Sequence, residues 1–164
     1  MGARCQLYVD HVTEIATQLV TAAGIQECDV MLGVPTTRGD LLRPYLEAAR
    51  SLHGGIVDLT TVVRREPGAG STSRLSFAER QAQHKLTGPL PAMRRLLILD
   101  DFLATGESAA HVIEVVRHHA AAMPEVVIAA ALWVPPEDLS ASFLRLPRQK
   151  NSWVSVGSGS LPSE

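Results

Sequence analysis

Apolar residues recur along the chain with two periods, and these periods predict helices alternating with strands. Between residues 7 and 23 the apolar positions lie three and four apart, which predicts a first helix that Gly24 ends. Residues 28–34 are a continuous apolar run that predicts a buried strand, and 40–52 have helical composition up to a glycine pair. A strand, a turn and a helix therefore form the first unit after the opening helix.

The same alternation continues to the end of the chain. Frequent β-branched residues predict a strand over 56–63, and polar residues with glycines predict a loop over 64–73. The spacing of Ser76 and Glu79 is that of a capping box and predicts a short helix to about residue 86. The later predicted elements are a strand at 95–99, a helix at 107–121, a strand at 126–134 and an edge strand at 153–156. The Ser- and Gly-rich residues 157–164 are expected to be disordered.

Strands that alternate with helices are typical of an α/β fold with a doubly wound, mostly parallel sheet flanked by helices. With 164 residues, 46% of them apolar, we expect residues 1–164 to form one domain with a full-sized core. The formal net charge of −2 gives no basic field for nucleic acid and no polybasic patch for a membrane. No signal pattern or membrane-spanning run is present, so we expect a cytoplasmic protein. Cys5 and Cys28 stand far apart without neighbouring ligands, which predicts reduced thiols rather than a zinc site.

Residues 96–108 combine several features of a ligand site. The apolar residues Leu96 to Leu99 predict a buried strand that delivers Asp100 and Asp101 to the carboxyl edge of the sheet. A Thr-Gly turn follows, and the backbone N–H groups of residues 104–108 are expected to face the same edge at a helix N-terminus. Carboxylates bind sugar hydroxyls or a metal ion, whereas backbone amides bind phosphate. The pattern therefore predicts acids and a phosphate-binding turn in one site.

Two other protein classes place acids directly after an apolar strand, and both fit this chain poorly. A receiver domain needs a later phospho-acceptor Asp and then a Lys on successive strands, but only Asp138 and Lys150 follow, beyond the last clear strand. A haloacid-dehalogenase site needs a second Asp two residues after the first, where this chain has Phe102.

The order of apolar strand, two acids, short spacer, Thr-Gly and hydroxyl residue resembles the phosphoribosyl-pyrophosphate motif of type I phosphoribosyltransferases. The resemblance implies that Asp100 and Asp101 bind the ribose 2′- and 3′-hydroxyls and Mg²⁺, and stabilise positive charge that develops on the ribose. It also implies that the 5′-phosphate is bound by five consecutive residues, Ala104, Thr105, Gly106, Glu107 and Ser108.

Two further segments are similar to the same family. Residues 33–39 occupy the place of its pyrophosphate-binding loop, which implies that Arg38 is a catalytic cation for the leaving group. The hydrogen-bond donors to pyrophosphate in this loop are then Thr36, Thr37 and the amide of Gly39. Residues 62–65, followed by a glycine-rich loop and Leu-Ser-Phe-Ala-Glu-Arg, resemble the ComF-type branch. That resemblance implies that Arg64 and Arg65 bind the donor as part of a flexible lid.

The chain departs from the family pattern at three places. Ala104 replaces a threonine, which removes a hydroxyl but leaves the backbone donors. Glu107 brings a carboxylate next to the expected phosphate, which repels the ligand unless the side chain points outward and favours the helix dipole. The cysteine-rich, zinc-binding N-terminal region of many ComF-type proteins has no counterpart in this sequence.

The resemblance implies a Mg²⁺-dependent enzyme that transfers ribose 5-phosphate from phosphoribosyl pyrophosphate to a nitrogenous acceptor and releases pyrophosphate. It also implies a homodimer with small-molecule substrates. The residues at 104 and 107 keep an alternative open, a non-catalytic protein that binds phosphoribosyl pyrophosphate or a nucleotide for regulation. No motif in the sequence identifies the acceptor. We expect Trp133 to pack in the core or at a subunit interface, and Trp153 is a candidate for a small hood over the acceptor.

Overall fold

A computed structural model of the chain describes residues 3–36, 41–65, 79, 83–103, 105–133 and 151–155. Its helices are α1 (Ala3–Ala22), α2 (Arg43–Leu52) and α3 (Glu107–His119), with a short 3₁₀ turn at Ile25–Glu27. Its strands are β1 (Val30–Gly33), β2 (Val57–Asp58), β3 (Val63–Arg65), β4 (His84–Leu86), β5 (Arg95–Leu103), β6 (Glu125–Trp133) and β7 (Asn151–Ser155). None of the helices in these ranges has the length and apolarity needed to cross a membrane.

Five strands form one parallel sheet in the order β2-β1-β5-β6-β7, which confirms the predicted α/β fold. From β1 the chain adds β2 on one side, and later adds β5, β6 and β7 on the other side. The strand order therefore reverses between β1 and β5. In open parallel sheets the ligand crevice lies at this reversal, outside the carboxyl ends of the strands.

The central strand β5 is buried on both faces. Leu96 and Ile98 belong to an apolar cluster that includes the inner face of α3, whereas Leu97 and Leu99 pack in a second cluster with α1 and α2. Successive side chains of a strand point to opposite faces, so both sets are removed from water. This double burial explains why the strand is apolar at consecutive positions instead of alternating with polar residues.

Most of the predicted elements are confirmed, with shifts of a few residues at their ends. The shift that matters most for the acids concerns β5, which continues past residue 99 to Leu103, so that both acids lie within the strand. The confirmed helices are those predicted at 7–23, 40–52 and 107–121, and the confirmed strands are those at 28–34, 95–99, 126–134 and 153–156.

The single strand predicted over 56–63 is wrong. The chain pairs with β1 only at Val57 and Asp58 and then turns. The turn is stabilised by local hydrogen bonds, because the Thr60 N–H donates to Asp58 Oδ1 at 2.8 Å and the Val62 N–H donates to the Leu59 carbonyl at 2.8 Å. A side-chain oxygen that accepts from the backbone two residues later is a common way to end extended structure.

After this turn the chain forms an antiparallel ribbon of β3 and β4, which is separate from the main sheet. The loop predicted over 64–73 is therefore corrected at Arg64–Arg65, and the helix predicted to about residue 86 is corrected at His84–Leu86. Val63 and Leu86 pack against the α3 cluster, and this burial outweighs the local helical tendency. In the rest of that helix Glu79 is helical and Gln83 lies in a turn, whereas residues 76–78 and 80–82 lie outside the described residues, as do residues 157–164, for which disorder is predicted.

At the opposite, amino-terminal edge of the sheet, Asp29 joins β1 to β5. Its Oδ2 atom accepts hydrogen bonds from the N–H groups of Arg94 at 2.7 Å and Arg95 at 3.0 Å. These two backbone donors hold the pKa of Asp29 below its ordinary value. The neighbouring Cys28 is a free, buried thiol whose pKa is raised to about 11, chiefly by burial.

Candidate functional site

The carboxyl end of β1 is held close to its neighbours at Gly33. The Gly33 N–H donates to Thr60 Oγ1 at 2.9 Å, where β2 has already turned away. A Cβ atom added at Gly33 would lie 3.1 Å from Thr60 Cγ2 and 3.2 Å from Leu42 Cδ1, closer than ordinary packing allows. The next N–H, that of Val34, donates to the Leu99 carbonyl at 2.8 Å. The segment that begins at residue 33 therefore starts directly beside the end of β5.

Asp100 and Asp101 lie at this end of β5, as the sequence predicts. Asp100 is 6% exposed and Asp101 is half-buried. Burial, the charge of Asp101 and a hydrogen bond between the two side chains raise the pKa of Asp100 to about 8, against smaller opposing effects of backbone N–H donors at Phe102 and Asp101. Without a ligand the Asp100 carboxyl group therefore holds a proton at neutral pH.

The alternation of side chains along β5 breaks just after the acids. Leu103 rejoins the apolar cluster of Leu96 and Ile98, although a regular strand would turn it to the opposite face. Phe102 is 50% exposed instead. An exposed aromatic ring thus stands next to the acid pair, a site feature that the sequence reasoning missed and that an aromatic residue directly after two acids could have indicated.

The turn after β5 leads directly into α3. Gly106 has φ 71° and ψ 1°, in the left-handed region that favours glycine, and no side chain caps the helix there. The Ala110 N–H donates to the Gly106 carbonyl at 2.9 Å, so the helix is regular from its first turn. Thr105 and Ser108 are exposed and Glu107 is half-buried. Because the first N–H groups of a helix have no acceptor within it, this end of α3 has the geometry of an anion site.

The remaining predicted residues are distributed between the ribbon and the segment after β1. The Arg64 Nε atom donates to the Thr61 carbonyl at 2.9 Å, and the Arg65 Nε atom donates to Gln83 Oε1 at 3.2 Å. Thr36 is half-buried at the end of a described range. Four predicted site residues lie outside the described residues: Thr37, Arg38, Gly39 and Ala104.

The acid pair supplies oxygen ligands but forms no complete metal site in the described part of the chain. No group of three or more His, Cys, Asp or Glu side chains with metal-binding geometry occurs there. Two adjacent carboxylates are nevertheless the donor type that Mg²⁺ prefers, and Mg²⁺ commonly keeps water or substrate oxygens as its other ligands. The pair therefore suits a cation that arrives with a phosphorylated substrate.

Two buried histidines are in contact where β4 packs against α3. The rings of His84 on β4 and His111 on α3 lie with their centroids 5.6 Å apart at an interplanar angle of 44°. His84 is 8% exposed and His111 is 1% exposed, so both side chains are buried. His118 and His119, by contrast, are exposed near the end of α3.

The Gly106→Ala substitution is expected to weaken donor binding and to lower the free energy of unfolding by about 1–2 kcal/mol, since a Cβ atom is unfavourable in the left-handed region. Gly24 offers a matched control, because it has a similar positive φ of 69°. It lies just after the C-terminal end of α1, before the 3₁₀ turn. Gly24→Ala is expected to cost similar stability without changing ligand affinity. Chemical denaturation and calorimetric titration of both variants test this, and an equal loss of affinity in both would contradict it.

Comparisons with known proteins identify the family and the fold. A family model described as "Phosphoribosyl transferase domain" matches residues 4–155. A comparison of the sequence with curated proteins finds no match. The fold is similar to orotate phosphoribosyltransferase from Aeropyrum pernix, with a TM-score of 0.53, 19% identity and coverage of 94% of this chain and 75% of that one.

Two other solved structures are similar to the chain at comparable coverage. Adenine phosphoribosyltransferase from Rhodothermus marinus has a TM-score of 0.53 and 22% identity over 87% of this chain and 77% of its own. A hypoxanthine phosphoribosyltransferase from Staphylococcus aureus has a TM-score of 0.51 and 12% identity over 92% of this chain and 76% of its own. At these identities the likeness establishes the fold.

Proposed function

This chain belongs to the phosphoribosyltransferase family and is an enzyme of that transferase class, and from this premise we propose that its donor site is the carboxyl edge of β1 and β5. The observation that carries the proposal is the buried acid pair at the end of β5, followed at once by Gly106 and the start of α3. One side of the site thus offers carboxylates for sugar hydroxyls, and the other offers backbone N–H groups for phosphate.

In the proposed complex, Asp100 and Asp101 accept hydrogen bonds from the ribose 2′- and 3′-hydroxyls. Residues 104–108 bind the 5′-phosphate at the N-terminus of α3, where the helix dipole favours negative charge. Arg38, with Thr36, Thr37 and the amide of Gly39, binds the pyrophosphate group, and Arg64 and Arg65 add positive charge from the ribbon. The crowding at Gly33 supports this assignment, because it fixes the start of the 33–39 segment beside the acids.

The proposed reaction is a displacement at the anomeric carbon of the ribose. The bond between this carbon and pyrophosphate breaks with its electron pair leaving on pyrophosphate, and an acceptor nitrogen forms the new bond and then loses a proton. Asp100 and Asp101 stabilise the positive charge that develops on the ribose, and Arg38 stabilises the leaving group. No covalent intermediate with the protein is needed.

Mg²⁺ is the proposed cofactor, and the paired carboxylates fit it as oxygen ligands. When bound, the ion would neutralise negative charge on pyrophosphate and make it a better leaving group. The raised pKa of Asp100 is consistent with this fit, because a buried carboxyl group without a cation beside it loses its charge by holding a proton.

The acceptor is proposed to be a planar nitrogenous compound. Phe102, which is half exposed beside the acids, supplies an apolar aromatic surface on which such a ring stacks. We also propose that the chain is related to the ComF-type branch, because the segment from Val62 to Arg65 resembles that branch. In the structure this segment leads into β3, whose last two residues are Arg64 and Arg65. We further propose that the chain is a single-domain cytoplasmic protein that forms a homodimer.

Calorimetric titration with phosphoribosyl pyrophosphate and Mg²⁺ tests the donor site. We expect saturable heat at a stoichiometry of one donor per chain, because both halves of the site are present in each chain. A flat titration of a sample that is folded by circular dichroism would reject the donor assignment. The same titration with ribose 5-phosphate measures how much of the affinity depends on pyrophosphate.

Pyrophosphate release separates a working transferase from a donor-binding regulatory protein, for which residue 107 gives a specific reason. A carboxylate beside the 5′-phosphate is unfavourable for tight donor binding and thus for turnover. Screening purines, pyrimidines, aromatic acids and amines as acceptors should reveal one that releases pyrophosphate. Tight donor binding with no release for any acceptor would favour the regulatory protein.

A further inference from the structure

The hydrogen bonding between β1 and its neighbour β2 ends on a side chain. One backbone bond of this edge runs from the Leu59 N–H to the Met31 carbonyl at 2.9 Å. In a parallel ladder the next acceptor, for the Gly33 N–H, would be the Leu59 carbonyl, but this carbonyl accepts from the Val62 N–H at 2.8 Å. The Gly33 N–H donates to Thr60 Oγ1 at 2.9 Å instead. A hydroxyl group therefore takes the place of a backbone carbonyl where β1 ends.

The Thr60 side chain is held in place for this contact. A Cβ atom at Gly33 would lie 3.1 Å from Thr60 Cγ2 and 3.3 Å from its Oγ1, so the absence of a side chain at Gly33 lets the threonine come close. A β-branched side chain has few χ1 rotamers, and the methyl group beside Gly33 keeps the hydroxyl directed at the N–H. The Thr60 N–H donates to Asp58 Oδ1 at 2.8 Å, and the other carboxylate oxygen of Asp58 accepts from Arg50 of α2. The hydroxyl is thus oriented by contacts on both sides.

The same contacts hold both ends of the segment between β1 and α2. Gly33 is the last residue before this segment, and Leu42 directly precedes α2. The Leu42 Cδ1 atom would lie 3.2 Å from a Cβ atom at Gly33, so the two ends meet there, and we call Gly33, Leu42 and Thr60 the segment base. Arg50 joins α2 to Asp58, just before the turn that carries Thr60. Thr60 therefore supports the base of the whole segment.

The segment base also determines how far the segment lies from the acid pair. The Val34 N–H donates to the Leu99 carbonyl at 2.8 Å, and Leu99 directly precedes Asp100. Gly33 and Val34 thus donate in opposite directions, one toward Thr60 and the other toward the strand that carries the acids. Because the proposed pyrophosphate and ribose contacts lie on these two elements, a small displacement of Gly33 changes how both parts of one donor fit.

We propose that Thr60 is a positioning residue for the pyrophosphate group of the donor; this rests on the proposed function. Its hydroxyl accepts from the Gly33 N–H and so holds the 33–39 segment where that segment reaches pyrophosphate while Asp100 and Asp101 bind the ribose. Thr60 acts through Gly33 and not by contact with the donor. The ligands that depend on it are sugar diphosphates that carry pyrophosphate at the anomeric carbon, whereas a sugar phosphate without that group does not.

Thr60→Val tests the assignment, because valine keeps the branched shape of the side chain but cannot accept the hydrogen bond. Affinity for phosphoribosyl pyrophosphate with Mg²⁺ is measured by calorimetry, and affinity for ribose 5-phosphate by competition with that donor. We expect Thr60→Val to weaken donor binding about tenfold, the equivalent of one buried hydrogen bond, and to change ribose 5-phosphate affinity less than about twofold. Thr60→Ser keeps the hydroxyl and should restore most of the donor affinity.

Thr61→Val is the matched control, because Thr61 is the exposed neighbour of Thr60 in the same turn, and it should leave both affinities unchanged. Equal weakening of both ligands in Thr60→Val, or no weakening of either, would overturn the inference and leave the donor site intact. Absence of donor binding by the native protein would instead reject the proposed function.

Amide exchange at Gly33 provides a test in the native protein, which does not depend on how well a variant folds. Exchange of the Gly33 N–H with solvent should slow about tenfold or more on saturation with phosphoribosyl pyrophosphate and Mg²⁺, because binding to the segment opposes local opening of the segment base. Ribose 5-phosphate should leave this exchange unchanged. The Val57 N–H, which donates to the Asp29 carbonyl where β2 begins, is the internal reference. Equal slowing by both ligands relative to Val57, or slowing by neither, would contradict the proposal.

Discussion

The Asp101→Asn variant is expected to lose most donor binding and to lower kcat/KM on the order of 10²- to 10³-fold, the usual effect of removing one preorganised electrostatic group. Asparagine keeps the shape and one acceptor oxygen of the side chain but not its charge. The lost charge is the one that Asp101 contributes to the positively charged ribose in the proposed transition state. Because Asp101 is half-buried at the end of β5, the substitution should leave the fold intact.

Glu47→Gln is a suitable control for this substitution. Glu47 is an exposed carboxylate on α2 that pairs with Arg43 at 2.8 Å, and exposed pairs of this kind contribute little. Its removal should change neither donor affinity nor turnover. Calorimetry and pyrophosphate release measured on both variants decide the question. Native-like activity in Asp101→Asn would remove the acid pair from the proposed mechanism.

Asp100→Asn is expected to change how the stability of the protein depends on pH. The folded state raises the pKa of Asp100 from 3.8 to about 8, chiefly by burial and then by the charge of Asp101. Between these two values the folded chain holds a proton that the unfolded chain has lost. The free energy of unfolding therefore falls as pH rises through this range, because stability decreases with pH wherever the folded state binds more protons.

The stabilising effect of the protonated carboxyl is fully present below about pH 4 and is lost as pH rises through about 8. A shift of this size corresponds to at most about 6 kcal/mol over the range, at about 1.4 kcal/mol for each unit. Asp100→Asn is neutral at every pH, so its unfolding free energy should be nearly flat there and should exceed that of the native protein at pH 8 to 9.

Urea denaturation at intervals from pH 4 to 9 measures both curves. Asp58→Asn is a useful comparison, because Asp58 is partly buried outside the acid pair and should leave the fall between pH 4 and 8 in place. Parallel curves for the native protein and Asp100→Asn would show that Asp100 is ionised in the folded state. The raised pKa of Asp100 would then be wrong.

The elements that the sequence predicts well are those with strong, local patterns. The long apolar periods of α1 and α3 and the continuous apolar runs of β1, β5 and β6 are each sufficient to identify the element. The segment between residues 56 and 86 was predicted less well. Its short strands β3 and β4 are stabilised by packing against α3, which no local pattern records.

The candidate site likewise has parts that the local sequence predicts and parts that depend on tertiary packing. The acid pair and Gly106 are recognisable from the order of residue types alone, because strand, acids and turn are contiguous in the sequence. The exposure of Phe102 depends on a break in the alternation of β5 after Asp101. The contact between His84 and His111 depends on the docking of the ribbon, and so could not be predicted from either segment.

The sequence by itself determined the order of elements, the α/β class and the acids and turn that indicate a phosphoribosyltransferase, because these features rest on residues that are neighbours in the chain. Only the tertiary structure decided the reversal of strand order between β1 and β5, the burial that raises the pKa of Asp100, and the contact between the rings of His84 and His111. Each of these depends on which distant segments pack together, and desolvation and charge act through that packing and not through sequence spacing.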